Sequence, residues 1–294
     1  MKETFIKLHL SILLAGTTGL FGRFITLNEG LLVWYRMILA FVMLWAVLKM
    51  QHKVRLLSGV ELLKVCGVGM LLALHWVMFY GSIKASNVSI GVVCFALVGF
   101  FTAFLEPLIN RHRVSWREVL FSVFTLLGIL LIFHFDTRYR LGIGMGIVSS
   151  LLAALFTVTN KRVSRRHSAS ILLLYEMGGG FLGVSLLLPV YLSLFPVTSL
   201  LPGTSDFVYL LVFASCCTVL LYLLQIQVLK RMSAFTVSLS YNLEPVYSIL
   251  FAMVLFGEAK ELNHAFYAGV GLIILSVVFQ TLSVVRPASS KKAK

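Results

Sequence analysis

The sequence predicts an all-α integral membrane protein of ten transmembrane helices, arranged as two inverted five-helix repeats with both termini cytoplasmic. Composition, the length of the apolar runs and the placement of the basic residues predict it. The 294 residues are 59% hydrophobic and only 12% charged, with a mean hydropathy of +0.96, where a soluble domain carries roughly 25% charged residues. A helix rises ~1.5 Å per residue across a hydrocarbon core ~30 Å thick, so each crossing takes about 20 apolar residues. Ten crossings with short loops use nearly the whole chain.

Apolar runs interrupted by charge, Gly and Pro place the spans at 5–26, 31–50, 60–83, 88–109, 117–135, 141–160, 170–194, 206–229, 235–256 and 264–284. Continuous runs of this length indicate helices; barrel strands would be about half as long and would alternate in polarity. The first run follows a short charged stretch, Met1 to Lys7, and so imitates a secretory signal. It lacks a small-x-small cleavage site and is long enough to span, so a retained first helix is expected.

Direction follows from Lys and Arg, because basic loops stay cytoplasmic. With a cytoplasmic N-terminus, nineteen of the 25 basic residues fall in inside segments, from Lys2 and Lys7 to the tail Arg286, Lys291, Lys292 and Lys294. The outside loops hold Lys84, Arg138, Arg140 and Lys260, with Arg23 at the outer end of the first helix and Arg36 inside the second. Topology therefore accounts for the net charge of +14 and no nucleic-acid partner is needed. Cys66, Cys94, Cys216 and Cys217 all lie in apolar segments without metal-ligand spacing, which makes them packing residues.

The outside loop His134 to Arg140 divides the spans five and five, giving 1–137 as the first repeat, 138–285 as the second and 286–294 as a basic cytoplasmic tail. Two halves that start on opposite sides of the membrane are inverted repeats if they share a fold, an arrangement of secondary transporters that bind substrate between the halves. Tyr35-Arg36-Met37 and Tyr175-Glu176-Met177 sit at similar places in their halves. Leu105-Glu106-Pro107 and Leu243-Glu244-Pro245 lie at different depths and are not expected to be symmetry mates.

The stretch Asn242-Leu243-Glu244-Pro245, with Gly257-Glu258 twelve residues on, the Gly-rich final helix Gly269-Val270-Gly271-Leu272-Ile273, the run Phe100 to Pro107 and Val114-Ser115-Trp116 together resemble the EamA family of the drug/metabolite transporter superfamily. Where the repeat pattern places Glu-Pro or Ser-Pro, the first half carries Val98-Gly99. The resemblance covers the whole chain and implies ten helices as two five-helix repeats, and movement of small polar or amphipathic metabolites, often outward. Pro245, Pro107 and Gly271 are then structural positions.

Ionisable groups inside a span cost roughly 2.5–3.5 kcal/mol each on insertion scales and are candidates for function. Glu244 precedes Pro245, whose ring removes an amide donor and frees carbonyls to line a polar space. It reads as a substrate-amine contact or proton-coupling carboxylate, or as a buried structural carboxylate. Arg36, beside Trp34 and Tyr35, either meets a substrate carboxylate or snorkels to the interface. Glu176 either gates the cytoplasmic side through the loop Lys161 to Arg166 or forms an interfacial ion pair. His75 and Trp76 face substrate or pack within the bundle. Asn242, Tyr241, Tyr222 and Gln225 bond a solute or neighbouring helices. A cavity lined from the second, third, seventh, eighth and ninth helices is expected.

No His-Glu-x-x-His, Gly-x-Ser-x-Gly or phosphate-loop pattern occurs, and no cofactor or metal is expected. The protein reads as a secondary transporter of an amino acid-like or amphipathic metabolite in the inner membrane, with lipid and solute as partners and protons as the coupling ion of first choice. The alternatives are an intramembrane lipid-modifying enzyme and a non-transporting scaffold. Oligomeric state is not readable from a uniformly apolar surface.

Overall fold

The computed structural model describes residues 2–111, 113–135, 139–260 and 262–285, and among them every regular element is helical. The chain forms α1 (Lys2–Phe24), α2 (Glu29–Met50), α3 (Gly59–Ala85), α4 (Val88–Phe95), α5 (Leu97–Asn110), α6 (Trp116–Phe135) and α7 (Arg140–Ser164). It continues as α8 (Ala169–Leu194), α9 (Thr204–Ala214), α10 (Leu221–Leu229), α11 (Ala234–Ser240), α12 (Glu244–Phe256) and α13 (His264–Val285). Each sequence-predicted span falls on one of these helices or on two joined by a short break. Among the described residues, seven helical runs, Val88–Asn110 and Thr204–Leu229 among them, are long and apolar enough to cross a membrane. The basic segment 286–294, and Arg138 in the loop between the two halves, lie outside the described residues.

Helix starts carry their own caps. Asn28 accepts from the Leu31 amide at 2.8 Å, Asn87 from Ile90 at 2.8 Å and Ser168 from Ile171 at 3.4 Å, each satisfying a donor that the first turn leaves open. At the other end of α12, Gly257 takes φ +68, the left-handed conformation that closes a helix at no Cβ cost.

Polarity runs inward. Leu186, Val190 and Val254 point outward with most of their surface bare, while Arg36, Glu176, Glu244, Asn160 and Ser149 are buried. A soluble protein would reverse this; in a bilayer the lipid accepts the apolar exterior and the interior must satisfy its own polar groups. α3 packs along both α7 and α8, α1 along α10 and α12, and α6 pairs with α13 at one side of the body. The α3–α8 crossing is so close that a Cβ on Gly69 would run into the Glu176 backbone carbonyl. At Gly271, by contrast, an added Cβ meets nothing within 4 Å.

Three expected spans are interrupted rather than continuous. α4 gives way to α5 at Ala96. α9 and α10 are joined through a π-helical turn, Ser215–Leu220. α11 passes through a tight 3-10 turn, Tyr241–Leu243, into α12. Pro107 sits within α5 and Pro245 in the first turn of α12, where its missing amide would have been without a helical partner in any case.

Candidate functional site

Near the middle of the bundle lies a cavity of about 40 Å³, room for a water molecule or two. Arg36, His75, Trp76, Tyr222, Gln225, Tyr241 and Glu244 all line it, seven of the residues singled out from the sequence. Tyr80, Thr18, Phe79 and Phe95 complete much of the wall. The lining comes from α1, α2, α3, α4, α10 and α12 with the turn before it. This corrects the expected set: among the described residues α8 contributes none, and α1 and α4 take part. The reason is the tight α3–α8 crossing, which places α8 behind α3.

Arg36 organises the site. It is 1% exposed, which removes the snorkelling alternative. Nε donates to Thr218 Oγ1 at 2.6 Å, Nη1 to the Tyr80 hydroxyl at 2.7 Å and Nη2 to the Cys217 carbonyl at 2.8 Å. The π turn supplies two of these acceptors. A wider turn disturbs the regular carbonyl ladder, so a side chain can take a carbonyl that an α-helix would use itself. The guanidinium lies between the Trp76 and Phe213 rings, 4.1 Å from the centroid of the latter, held on both faces by ring quadrupoles. Its neighbours Trp34 and Tyr35 turn elsewhere, Trp34 Nε1 to Ser185 Oγ at 2.8 Å and the Tyr35 hydroxyl to the Leu200 carbonyl at 3.1 Å.

Trp76 is fixed by Nε1 donating to the Tyr222 hydroxyl at 2.9 Å. His75 is fixed from behind: Nδ1 lies 3.0 Å from the Ser149 carbonyl and 2.8 Å from Ser149 Oγ. A carbonyl can only accept, so Nδ1 carries the hydrogen and, in the neutral ring, Nε2 is left as an acceptor. The Glu244 carboxylate is 4% exposed, and among the described residues no donor bonds it. Gln225 Oε1 is likewise buried without a partner. Among the described residues the cavity therefore combines a fixed cation bonded through each of its three nitrogens with acceptors that have no donor. An ammonium group, a proton or an ordered water would satisfy them.

Glu176 lies elsewhere. It is completely buried and accepts from Asn160 Nδ2 at 2.8 Å, and among the described residues no basic group of the Lys161 to Arg166 loop pairs with it. Both expectations for it, gate through that loop and interfacial ion pair, are thus replaced by a buried contact with α7. The Asn242 backbone belongs to the turn before Glu244; its side chain lies outside the described residues. Tyr80 and Thr218 were not singled out from the sequence. Their only signal would have been the need of a buried arginine for acceptors on neighbouring helices.

The model of the EamA-like transporter family matches residues 5–134 and again 140–282. An uncharacterized transporter of Haemophilus influenzae is 24% identical over 277 residues, covering 87% of this chain and 86% of the relative. An uncharacterized transporter of Clostridium kluyveri is 20% identical over 314 residues, covering 100% of this chain and 96% of the relative. A solved crystal structure superposes with a TM-score of 0.70 at 18% identity, covering 97% of this chain and 99% of that one. That likeness speaks for the fold.

Proposed function

We propose that this chain, which belongs to the EamA-like transporter family, is a secondary transporter that moves a small amino acid-like or amphipathic metabolite outward by alternating access. The family and its apolar helices make it a multi-pass membrane protein. In this reading the chain crosses the inner membrane ten times with both termini cytoplasmic; the length of the apolar runs supports the number of crossings and the basic-residue asymmetry supports their direction. The double match of the family model supports two repeats, 1–137 and 138–285, and the cavity between them is the substrate site.

The observation that carries the reading is the Glu244 carboxylate, buried, without a donor among the described residues, and sharing its cavity with Arg36. A carboxylate so placed exchanges a proton for the amine of a solute, or carries the proton itself, without rebuilding the wall around it. Arg36, Trp76 and Tyr222 hold the surrounding shape constant while that exchange occurs. The broken spans support the reading further, since interrupted helices line the binding sites of many carriers.

The test is flux in proteoliposomes loaded with a mixed metabolite pool, with and without a proton gradient, for the native chain and for Glu244→Gln. Gradient-driven movement of one compound class that disappears in the variant is expected. Unchanged gradient-driven flux in Glu244→Gln would remove the carboxylate from the mechanism, and no movement of any compound would remove transport itself.

A further inference from the structure

Two glutamates outside the cavity make the same unusual set of bonds at opposite ends of the body. Glu258, fully buried just beyond α12, accepts from the Val88 amide at 3.1 Å and the Ser89 amide at 3.0 Å, from Ser89 Oγ at 2.6 Å, and from Arg23 Nη1 of α1 at 2.7 Å. Glu106, near the end of α5, accepts from the Ala234 amide at 3.3 Å and the Phe235 amide at 2.8 Å, and from Lys161 Nζ of α7 at 3.3 Å. In each, one carboxylate bridges the first two amides of a helix and a cation from a third helix binds its Oε1. The helix that Glu258 caps, α4, leads into the helix that carries Glu106. The helix that Glu106 caps, α11, leads into α12 and Glu258. The two sets are about 27 Å apart along that first helical run, at 1.5 Å per residue from Val88 to Glu106.

Sequence register hides the correspondence. Glu106 stands eighteen residues after Val88, while Glu258 stands twenty-four after Ala234. Each capped segment is also short and ends at a break: α4 runs 8 residues to the interruption at Ala96 and α11 runs 7 to the turn at Tyr241. Beside each set the surface is hollowed, by about 430 Å³ around Arg23, Lys84 and Asn87 at one end and by about 750 Å³ around Lys7, Lys230 and Ser233 at the other. The small cavity lies between.

We infer that Glu258 with Arg23, and Glu106 with Lys161, are the two gates of the transport path, each closing one end by pinning a short hinged helix across the two halves. Both are shut in this structure, which is why the cavity holds no more than water. Release of the Glu258 set frees α4 to swing about Ala96 and opens the cavity to the Arg23 side. Release of the Glu106 set frees α11 about Tyr241–Leu243 and opens it to the Lys161 side. Because the carboxylate of each gate rides on the run whose start is held by the other, the two ends are mechanically coupled, and the gates open in alternation, one end held shut while the other is released. This inference rests on the transporter reading above.

Hydrogen–deuterium exchange of the purified full chain in lipid nanodiscs, without substrate, tests it for Glu258→Gln and Glu106→Gln. Removing a charge-assisted set should raise exchange at its own end about tenfold or more: at 88–95 for Glu258→Gln and at 234–240 for Glu106→Gln. The gate assignment further requires exchange at the opposite end to slow, since a population shifted toward one open state leaves the other gate more firmly shut. Faster exchange at the near end with the far end unchanged or also faster would reduce both glutamates to helix caps and overturn the inference. Should a glutamine variant not accumulate, Arg23→Gln and Lys161→Gln keep the amide bonds and should give the same opposed pattern at smaller amplitude. Opposed exchange without flux in proteoliposomes would leave the gates standing and sink the transporter reading instead.

Discussion

The guanidinium carbon of Arg36 lies 3.5 Å from the centroid of the Trp76 ring, and these two residues set the geometry of everything around the cavity. Trp76 reaches onward to Tyr222, and Arg36 reaches across to the π turn. The cavity wall is thus one bonded network joining α2, α3 and the segment Ser215–Leu229.

Arg36→Lys should therefore not behave as a conservative change. An ammonium cannot serve Thr218, Tyr80 and the Cys217 carbonyl in one plane or stack between two rings, so about 1–3 kcal/mol of stability should be lost with the stranded acceptors. Thermal unfolding of the detergent-solubilised protein reads this directly. Arg36→Gln should cost more, and Arg36→Gln combined with Glu244→Gln should recover part of the loss by removing a buried charge left without its counter-ion. Strict additivity of the two substitutions would show that the charges do not sense one another.

Glu176 offers a second test. Asn160 Oδ1 and Glu176 Oε2 are both buried without partners while Asn160 Nδ2 bonds Oε1, so a hydrogen placed on Oε2 could satisfy both atoms at once. Glu176→Gln supplies that hydrogen permanently as an amide donor and should leave stability within about 0.5 kcal/mol of the native chain or improve it. Glu176→Ala should cost about 2 kcal/mol or more by adding a void to an unpartnered amide. If the glutamine variant unfolded as readily as the alanine one, the carboxyl would have to be ionised in the folded protein.

The helix crossings make a third prediction. Gly69→Ala drives a methyl into the Glu176 backbone, which cannot rotate away, and should lower stability by about 1–3 kcal/mol as overpacking does. Gly67→Ala, two residues earlier on the same helix, meets nothing within 4 Å and should be neutral or gain up to about 1 kcal/mol from helix propensity. Comparable unfolding temperatures for the two variants would mean that α3 and α8 do not approach so closely.

The helices were legible because a crossing demands a long apolar run, and each run announces itself without reference to its neighbours. Two of the three interruptions were not, while Pro245 signalled the third, at Tyr241–Leu243. Ala96 and the segment Ser215–Leu220 are ordinary apolar sequence, and what distinguishes them is tertiary: the Cys217 carbonyl and Thr218 are bent toward a guanidinium on another helix. The cavity residues followed the same divide. Arg36, His75, Trp76, Tyr222 and Glu244 betrayed themselves as polar or titratable groups in costly places. Tyr80 did not, because a tyrosine at the end of a span is unremarkable until the arginine it serves is seen. Glu106 and Glu258 are hidden for a further reason, since their roles match while their distances from the helix starts differ by six residues.

The π turn has a consequence beyond supplying acceptors to Arg36. One additional residue in a helix advances everything after it by about 100° around the axis. Tyr222 and Gln225 follow that turn, so they look into the cavity because of a surplus residue upstream. Deleting a single residue from Ser215–Leu220 would keep α9 and α10 helical and apolar, yet would wheel the Tyr222 hydroxyl away from Trp76 and present a neighbouring leucine in its place. The composition of the site is in this sense written in the phase of the helix, and a carrier of this build could exchange one set of lining side chains for another by gaining or losing one residue, with no substitution at all.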